Sequence, residues 1–102
     1  MIYAKVHNTE SGIIVALCDS ALINEILKEG DIVINIKDYA DFYKGNLVSQ
    51  TDAENLLGMK IDSANVVGRE SINAALNKGL VDKKNILSIG GVPYANAYKI
   101  NE

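Results

Sequence analysis

The stretch Ala64–Ala95, ANVVGRESINAALNKGLVDKKNILSIGGVPYA, decides the fold. Ile72, Ala75, Leu76 and Leu80 recur at helical spacing, with Gly68 one turn earlier on the same side, while Arg69, Glu70, Asn73 and Asn77 fall opposite. That pattern predicts an amphipathic helix with one apolar stripe. Gly79 after Lys78 is its stop, because glycine enters the left-handed C′ conformation without steric cost. Leu80 then folds back on the last turn, and Lys78 suits the negative end of the helix dipole. Two starts are open: Asn65 as the cap of a helix from Val66, or a later start marked by Gly68. Asn85–Ile89 reads as a buried strand, broken by Gly90-Gly91-Val92-Pro93. A strand pattern resumes over Tyr94–Ile100.

Working outward, Ile2–His7 alternates apolar and polar side chains and predicts a half-buried strand. Asn8–Gly12 is rich in turn formers. Ile13–Cys18 is apolar throughout and predicts a central strand covered on both faces, antiparallel to the first. Asp19 or Ser20 is placed to cap a helix running to about Glu29, with Leu22, Ile23, Ile26 and Leu27 buried and Gly30 as its end. Ile32, Ile34 and Ile36 alternate in a third strand. Asp38–Val48, containing Phe42-Tyr43-Lys44-Gly45, reads as an ordered loop. Thr51-x-x-Glu54 is a capping-box pattern for a two-turn helix through Leu57, closed by Gly58. Lys60–Ala64 is expected as a strand. The sum is an α/β (mixed α+β) domain: one mixed sheet of about five or six strands with three helices.

At 102 residues the chain is expected to form a single domain, residues 1–102, with one core. Hydrophobic residues are 48% and charged residues 23%, an ordinary globular balance. No apolar run has the length of a membrane span, and Met1–Lys5 lacks the pattern of a signal peptide, so no membrane association is expected. A single cysteine makes no internal disulfide and points to a reducing cytoplasm. The net charge of −3 disfavours a general nucleic-acid coat or a polybasic membrane anchor.

Four motifs occur in order: Cys18-Asp19, Phe42-Tyr43-x-Gly45, Ala64-Asn65-Val66-Val67-Gly68 and Gly91-Val92-Pro93-Tyr94-Ala95. With them the chain resembles, over nearly its whole length, the archaeal family known as domain of unknown function 424. The resemblance implies a small single-domain cytosolic protein and an archaeal source, and it implies no activity. The family's last motif usually reads Gly-Val-Pro-His-Ala, whereas here the matching position is Tyr94. A tyrosine there can stack or hydrogen-bond but is no base at neutral pH.

Each candidate site has a functional and a structural reading. Cys18-Asp19, between strand and helix, is a catalytic pair with a thiolate activated by the helix, or a small buried side chain beside a cap. Gly68-Arg69 at the central helix start is an anion-binding turn, or close packing beside an exposed arginine. Gly90, Gly91 and Tyr94 line a pocket in which Tyr94 stacks on a ring, or make a tight turn between two strands. Phe42 and Tyr43 with Lys44 contact RNA or protein, or anchor a loop to the core. Lys78, Lys83 and Lys84 form a small basic patch or a solvated face. His7 is expected to be exposed. One His and one Cys give no metal-ligand spacing, no cofactor is implied, and the phosphate-loop, dinucleotide, zinc-protease and serine-hydrolase motifs are missing.

Two functional classes follow. The first is a noncatalytic binding module contacting a protein or an RNA–protein assembly through the Gly90–Tyr94 loop, Phe42-Tyr43 and Arg69. The second is a small enzyme acting on an anionic metabolite, with Cys18 or Asp19 reactive and Arg69 holding the anion. A homodimer paired through Ile2–His7 or Tyr94–Ile100 is compatible with either.

Overall fold

The computed structural model describes residues 1–99. A six-stranded sheet runs β5-β1-β2-β6-β8-β7, and a two-stranded sheet, β3-β4, lies apart from it. β1 (Ile2–Thr9) and β2 (Gly12–Asp19) form the expected antiparallel hairpin, in register from Ile2↔Asp19 to Thr9↔Gly12. β2 is central, and Val15, Ala16, Leu17 and Cys18 are all fully buried, as its unbroken apolar run predicts.

The helix expected over 19–29 does not form. Ser20–Leu22 makes one 3-10 turn, and a hairpin follows: β3 (Ile26–Glu29) and β4 (Ile32–Asn35) reverse at Gly30-Asp31. Gly30 takes φ +59°, which suits a helix end and a two-residue hairpin turn alike, and here it serves the turn between paired strands. Leu27 and Ile34 face each other across this hairpin and turn inward. The local cap is also missing, because no side chain caps the 3-10 turn. The third strand stops before Ile36, which is fully buried beyond it.

The segment read as an ordered loop contains a short helix, α1 (Ala40–Tyr43), and an edge strand, β5 (Asn46–Val48). α2 (Gln50–Leu57) is capped by Ser49, whose hydroxyl accepts from the Asp52 amide, and not by Thr51. Glu54 is then free to join two helices: Gln50 and Asn77 both donate to it. These amide donors hold its carboxyl below the usual range. Gly58 ends α2 with ordinary right-handed torsions.

β6 (Ser63–Val67) begins later than expected and runs parallel to β2. α3 (Arg69–Asn77) starts after Gly68, the later of the two starts. Its end is as anticipated. Gly79 has φ +70°, its amide donates to Leu76 O at 3.0 Å, and Leu80 N donates to Ala75 O at 3.0 Å, which is a Schellman ending. A second 3-10 turn at Lys83–Asn85, capped by Asp82, shortens the following strand to β7 (Leu87–Ile89). That strand lies at the sheet edge with Leu87 half exposed, so only Ile89 of its three residues is buried. Gly90 and Gly91 both have positive φ and turn β7 into β8 (Val92–Tyr98). The expected continuation of the last strand to Ile100 reaches beyond the described residues.

β1 and β8, proposed as dimer edges, lie inside the sheet next to β5 and β7. Each is covered only in part: β5 pairs with Ile2, Tyr3 and Ala4, and β7 with Val92, Pro93 and Tyr94.

One face of the sheet presents Ile2, Ala4, Val15, Leu17, Ala64, Val66, Ala95 and Ala97 to α2 and α3, forming the main core. The opposite face reads in three cross-strand rows: Tyr3–Cys18–Val67–Tyr94, Lys5–Ala16–Asn65–Asn96, and His7–Ile14–Ser63–Tyr98. The β3–β4 hairpin and α1 complete a second core around Cys18, Val67 and Ile89, beneath Ile36 and Tyr43. The third row reaches solvent at Tyr98, which is 80% exposed. The candidate site lies on this half-covered face.

Candidate functional site

Two sets of the singled-out residues converge, and they do so in different places. The first gathers Asp19, Gly68, Arg69 and Gly91 around a cleft of about 250 Å³. Its chemistry is largely internal. Gly68 carries φ +107°, and its amide donates to Pro93 O at 2.9 Å, so the loop before α3 is tied to β8. The Asp19 carboxylate lies across the first turn of α3. It accepts from Glu70 N at 3.1 Å, from Ser71 N at 2.9 Å and from the fully buried Ser71 hydroxyl at 2.8 Å. A helix N-terminus attracts an anion through its free amides and its dipole. Here the protein's own aspartate is that anion. Arg69 and Glu70 lie exposed on the rim, and Glu70 pairs with the chain's amino terminus at 3.1 Å.

Cys18 sits directly beneath this cap with no exposed surface. Its Sγ–H donates to Asp19 O at 3.3 Å. Burial first, and then the Asp19 charge, pushes its thiol up to about 12. Both causes act against a thiolate, the opposite of what nucleophilic attack needs. The lone histidine is elsewhere: His7 is half-buried, stacked on Phe42 at 4.5 Å between centroids and 10° between planes, with Nε2 at 2.8 Å from Phe42 O. We expect a thiol reagent at pH 8 to modify Cys18 in the folded protein at least a hundredfold more slowly than in denaturant; equal rates would contradict the burial. The thiol's folded pKa lies above its ordinary value of 9.0, so its stabilising contribution is complete below that pH. It is lost as pH climbs towards 12, and denaturant midpoints should fall across that window.

The second convergence is aromatic. Phe42, Tyr43 and Tyr94 meet Val33, Ile34 and Tyr39 around an open groove of about 310 Å³. Phe42 and Tyr43 pack edge to face at 5.0 Å. Val33 is 53% and Tyr39 66% exposed, so the groove has an uncovered apolar rim. Beneath it the polar ends of the rings are connected. Tyr43 OH donates to Asn65 Oδ1 at 2.5 Å, and Asn65 Nδ2 donates to Asn96 Oδ1 at 2.6 Å. Both Asn65 Nδ2, at 3.2 Å, and Asn96 Nδ2, at 3.1 Å, donate to the Tyr94 hydroxyl. Burial first, then the neighbouring Tyr94 and Cys18, raises the Tyr43 hydroxyl above the usual tyrosine range. It therefore stays a neutral donor. A second groove, of about 190 Å³, shares Phe42 with the first and is floored by Asn65 and Asn96.

The structure thus separates two groups that the sequence lets one imagine together. Gly91 belongs to the Asp19 cleft, and Tyr94, three residues later, belongs to the aromatic groove. Gly90 serves the turn, its amide donating to Glu29 Oε1 at 3.0 Å. Lys78 lies against Gly58 at the end of α2, while Lys83 and Lys84 are exposed on the 3-10 turn. Sequence reasoning missed Asn65, Asn96, Tyr98, Tyr39 and Val33. One signal was available: an asparagine embedded among strand-forming residues in each of Ser63–Val67 and Val92–Tyr98. Among the described residues no group of three His, Cys, Asp or Glu side chains could hold a metal ion. No described helix is long and apolar enough to cross a membrane.

A mixed sheet with helices on one face and a half-covered aromatic and amide surface on the other defines a small α+β domain. The chain belongs to the family described as protein of unknown function (DUF424), whose model matches residues 6–100. Its fold is similar to the crystal structure of an uncharacterized conserved protein from Methanopyrus kandleri, with a TM-score of 0.81 at 24% identity, covering 95% of this chain and 90% of that one. No curated protein matches the chain.

Proposed function

We propose that the protein is a noncatalytic binding module, and that it contacts a protein or an RNA–protein assembly through the aromatic groove. The observation carrying this reading is the convergence of Phe42, Tyr43 and Tyr94, from two distant chain segments, on one groove whose rim at Val33 and Tyr39 is exposed and apolar. Aromatic rings with one wet end are the side chains that dominate recognition surfaces. The two groups on which the enzyme reading rests are engaged elsewhere, Asp19 on the α3 amides and Cys18 in the core. The buried thiol also suits a reducing cytoplasm.

The test is capture from native lysate by the whole protein and by Val33→Asp, a change at an exposed strand position that should alter stability by about 1 kcal/mol or less. We expect capture to fall at least tenfold, with thermal unfolding nearly unchanged. Undiminished capture by the folded variant would refute the groove as the contact. The chain has no tryptophan and five tyrosines, so nucleic acid in the captured material would dominate the ultraviolet absorbance and separate the RNA-containing partner from a protein alone.

A further inference from the structure

We infer that the Asn65–Asn96 end of the half-covered face is a subsite for unpaired bases of single-stranded RNA. This inference rests on the binding-module reading and names the ligand chemistry of its second groove. Asn65 and Asn96 are cross-strand partners. Their amides are held by Tyr43 and Tyr94 and so are oriented before any ligand arrives. A primary amide offers two N–H donors and two carbonyl lone pairs. Asn96 is exposed and uses one N–H on Tyr94 and one lone pair on Asn65, which leaves one of each on the same planar group. A donor beside an acceptor in one plane matches the edge of a base. The Tyr94 hydroxyl accepts from both amides, so its own proton remains to be donated to a ligand.

Ring surfaces flank the amide. Tyr98 lies two residues beyond Asn96 on the same face of β8 and is 80% exposed. Phe42, backed by the stacked His7, forms another wall. Bases stack on such rings with little regard to sequence. Along β8 the face presents Tyr94, Asn96 and Tyr98, ring–amide–ring, at steps of roughly 6.6 Å. Phe42 lines the aromatic groove as well, so the two grooves adjoin at this ring. A repeating, extended ligand fits that layout better than a single free nucleoside. No charged side chain lines the second groove, and the chain's net charge is −3, so recognition here is by ring and edge and not by phosphate.

The test uses the whole chain, labelled with nitrogen-15, titrated with the RNA octamers U8 and A8 and with the nucleosides uridine and adenosine. We expect an octamer to shift the side-chain amide signals of Asn65 and Asn96, and to bind more tightly than its nucleoside. Asn96→Ala and Tyr98→Ala, both at exposed positions, should weaken binding about tenfold or more, while Tyr98→Phe stays within about twofold. With at most one phosphate contact, a tenfold rise in salt should cost no more than about fivefold in affinity. Absence of any shift with either octamer, or shifts confined to Lys83 and Lys84 with a steep salt dependence, would overturn the assignment. Such a failure alongside capture still sensitive to Val33→Asp would retire the RNA subsite and leave the binding module standing. Loss of both results would remove both.

Discussion

Gly68→Ala should destabilise the protein more than any other single change considered, by about 2–5 kcal/mol. The backbone at this position has φ +107°, a region that side-chain-bearing residues rarely adopt. Holding alanine there costs roughly 1–3 kcal/mol. The added methyl would also overlap the Asp19 carboxylate, so one of the two must move. If Asp19 moves, the α3 cap is lost, for about another 1–2 kcal/mol. If the backbone moves, the Gly68 N–H to Pro93 O bond that ties α3 to β8 is lost. Either route puts the total at about 2–5 kcal/mol, a large part of the roughly 5–15 kcal/mol that holds a small domain together. Urea titration should show a midpoint lowered by about a fifth to a half with its slope nearly unchanged. A midpoint within error of the parent would mean that the glycine conformation is not required.

Asp19→Ala should cost about 2–4 kcal/mol, more than an exposed cap would. Three donors lose one acceptor group, and one of them, the Ser71 hydroxyl, is fully buried. Asp19→Asn keeps a side-chain oxygen at the α3 amides but loses the charge that the helix end favours, so about 1–2 kcal/mol is expected. The same pair of variants bears on function. If Asp19 is a structural anion, partner capture should follow the folded fraction and no more. Capture abolished in a folded Asp19→Asn would move the site to the α3 cleft.

The contrast between these two residues shows what local pattern reveals. Gly79 and its fold-back were legible because the whole motif lies within a few residues of chain. The β1–β2 hairpin and the Gly90-Gly91 turn were legible for the same reason. The role of Asp19 was half legible. Its position after an apolar strand marks it as a cap, but the helix that it caps begins fifty residues later. Without that local cap, Leu22, Ile23, Ile26 and Leu27, which match helical spacing, give way to a hairpin in which Leu27 packs against Ile34. The Gly30-Asp31 pair between strand-like flanks was the stronger signal there. On the half-covered face, Phe42, Tyr43 and Tyr94 stood out as residue types. Their meeting depends on the β6–β8 register and on where α1 lands, and neither is written in any single segment. Asn65 and Asn96 become a pair only through that register.

The most direct test of the central claim compares partner capture by the parent with capture by Val33→Asp and Arg69→Ala, both changed at exposed positions and both verified to be folded. Val33→Asp should lose at least tenfold while Arg69→Ala stays within about twofold, because the proposed contact lies on the aromatic groove and the free amides at the start of α3 are taken by the protein's own aspartate. Retained capture in Val33→Asp with loss in Arg69→Ala would contradict it and place the working site at the α3 cleft.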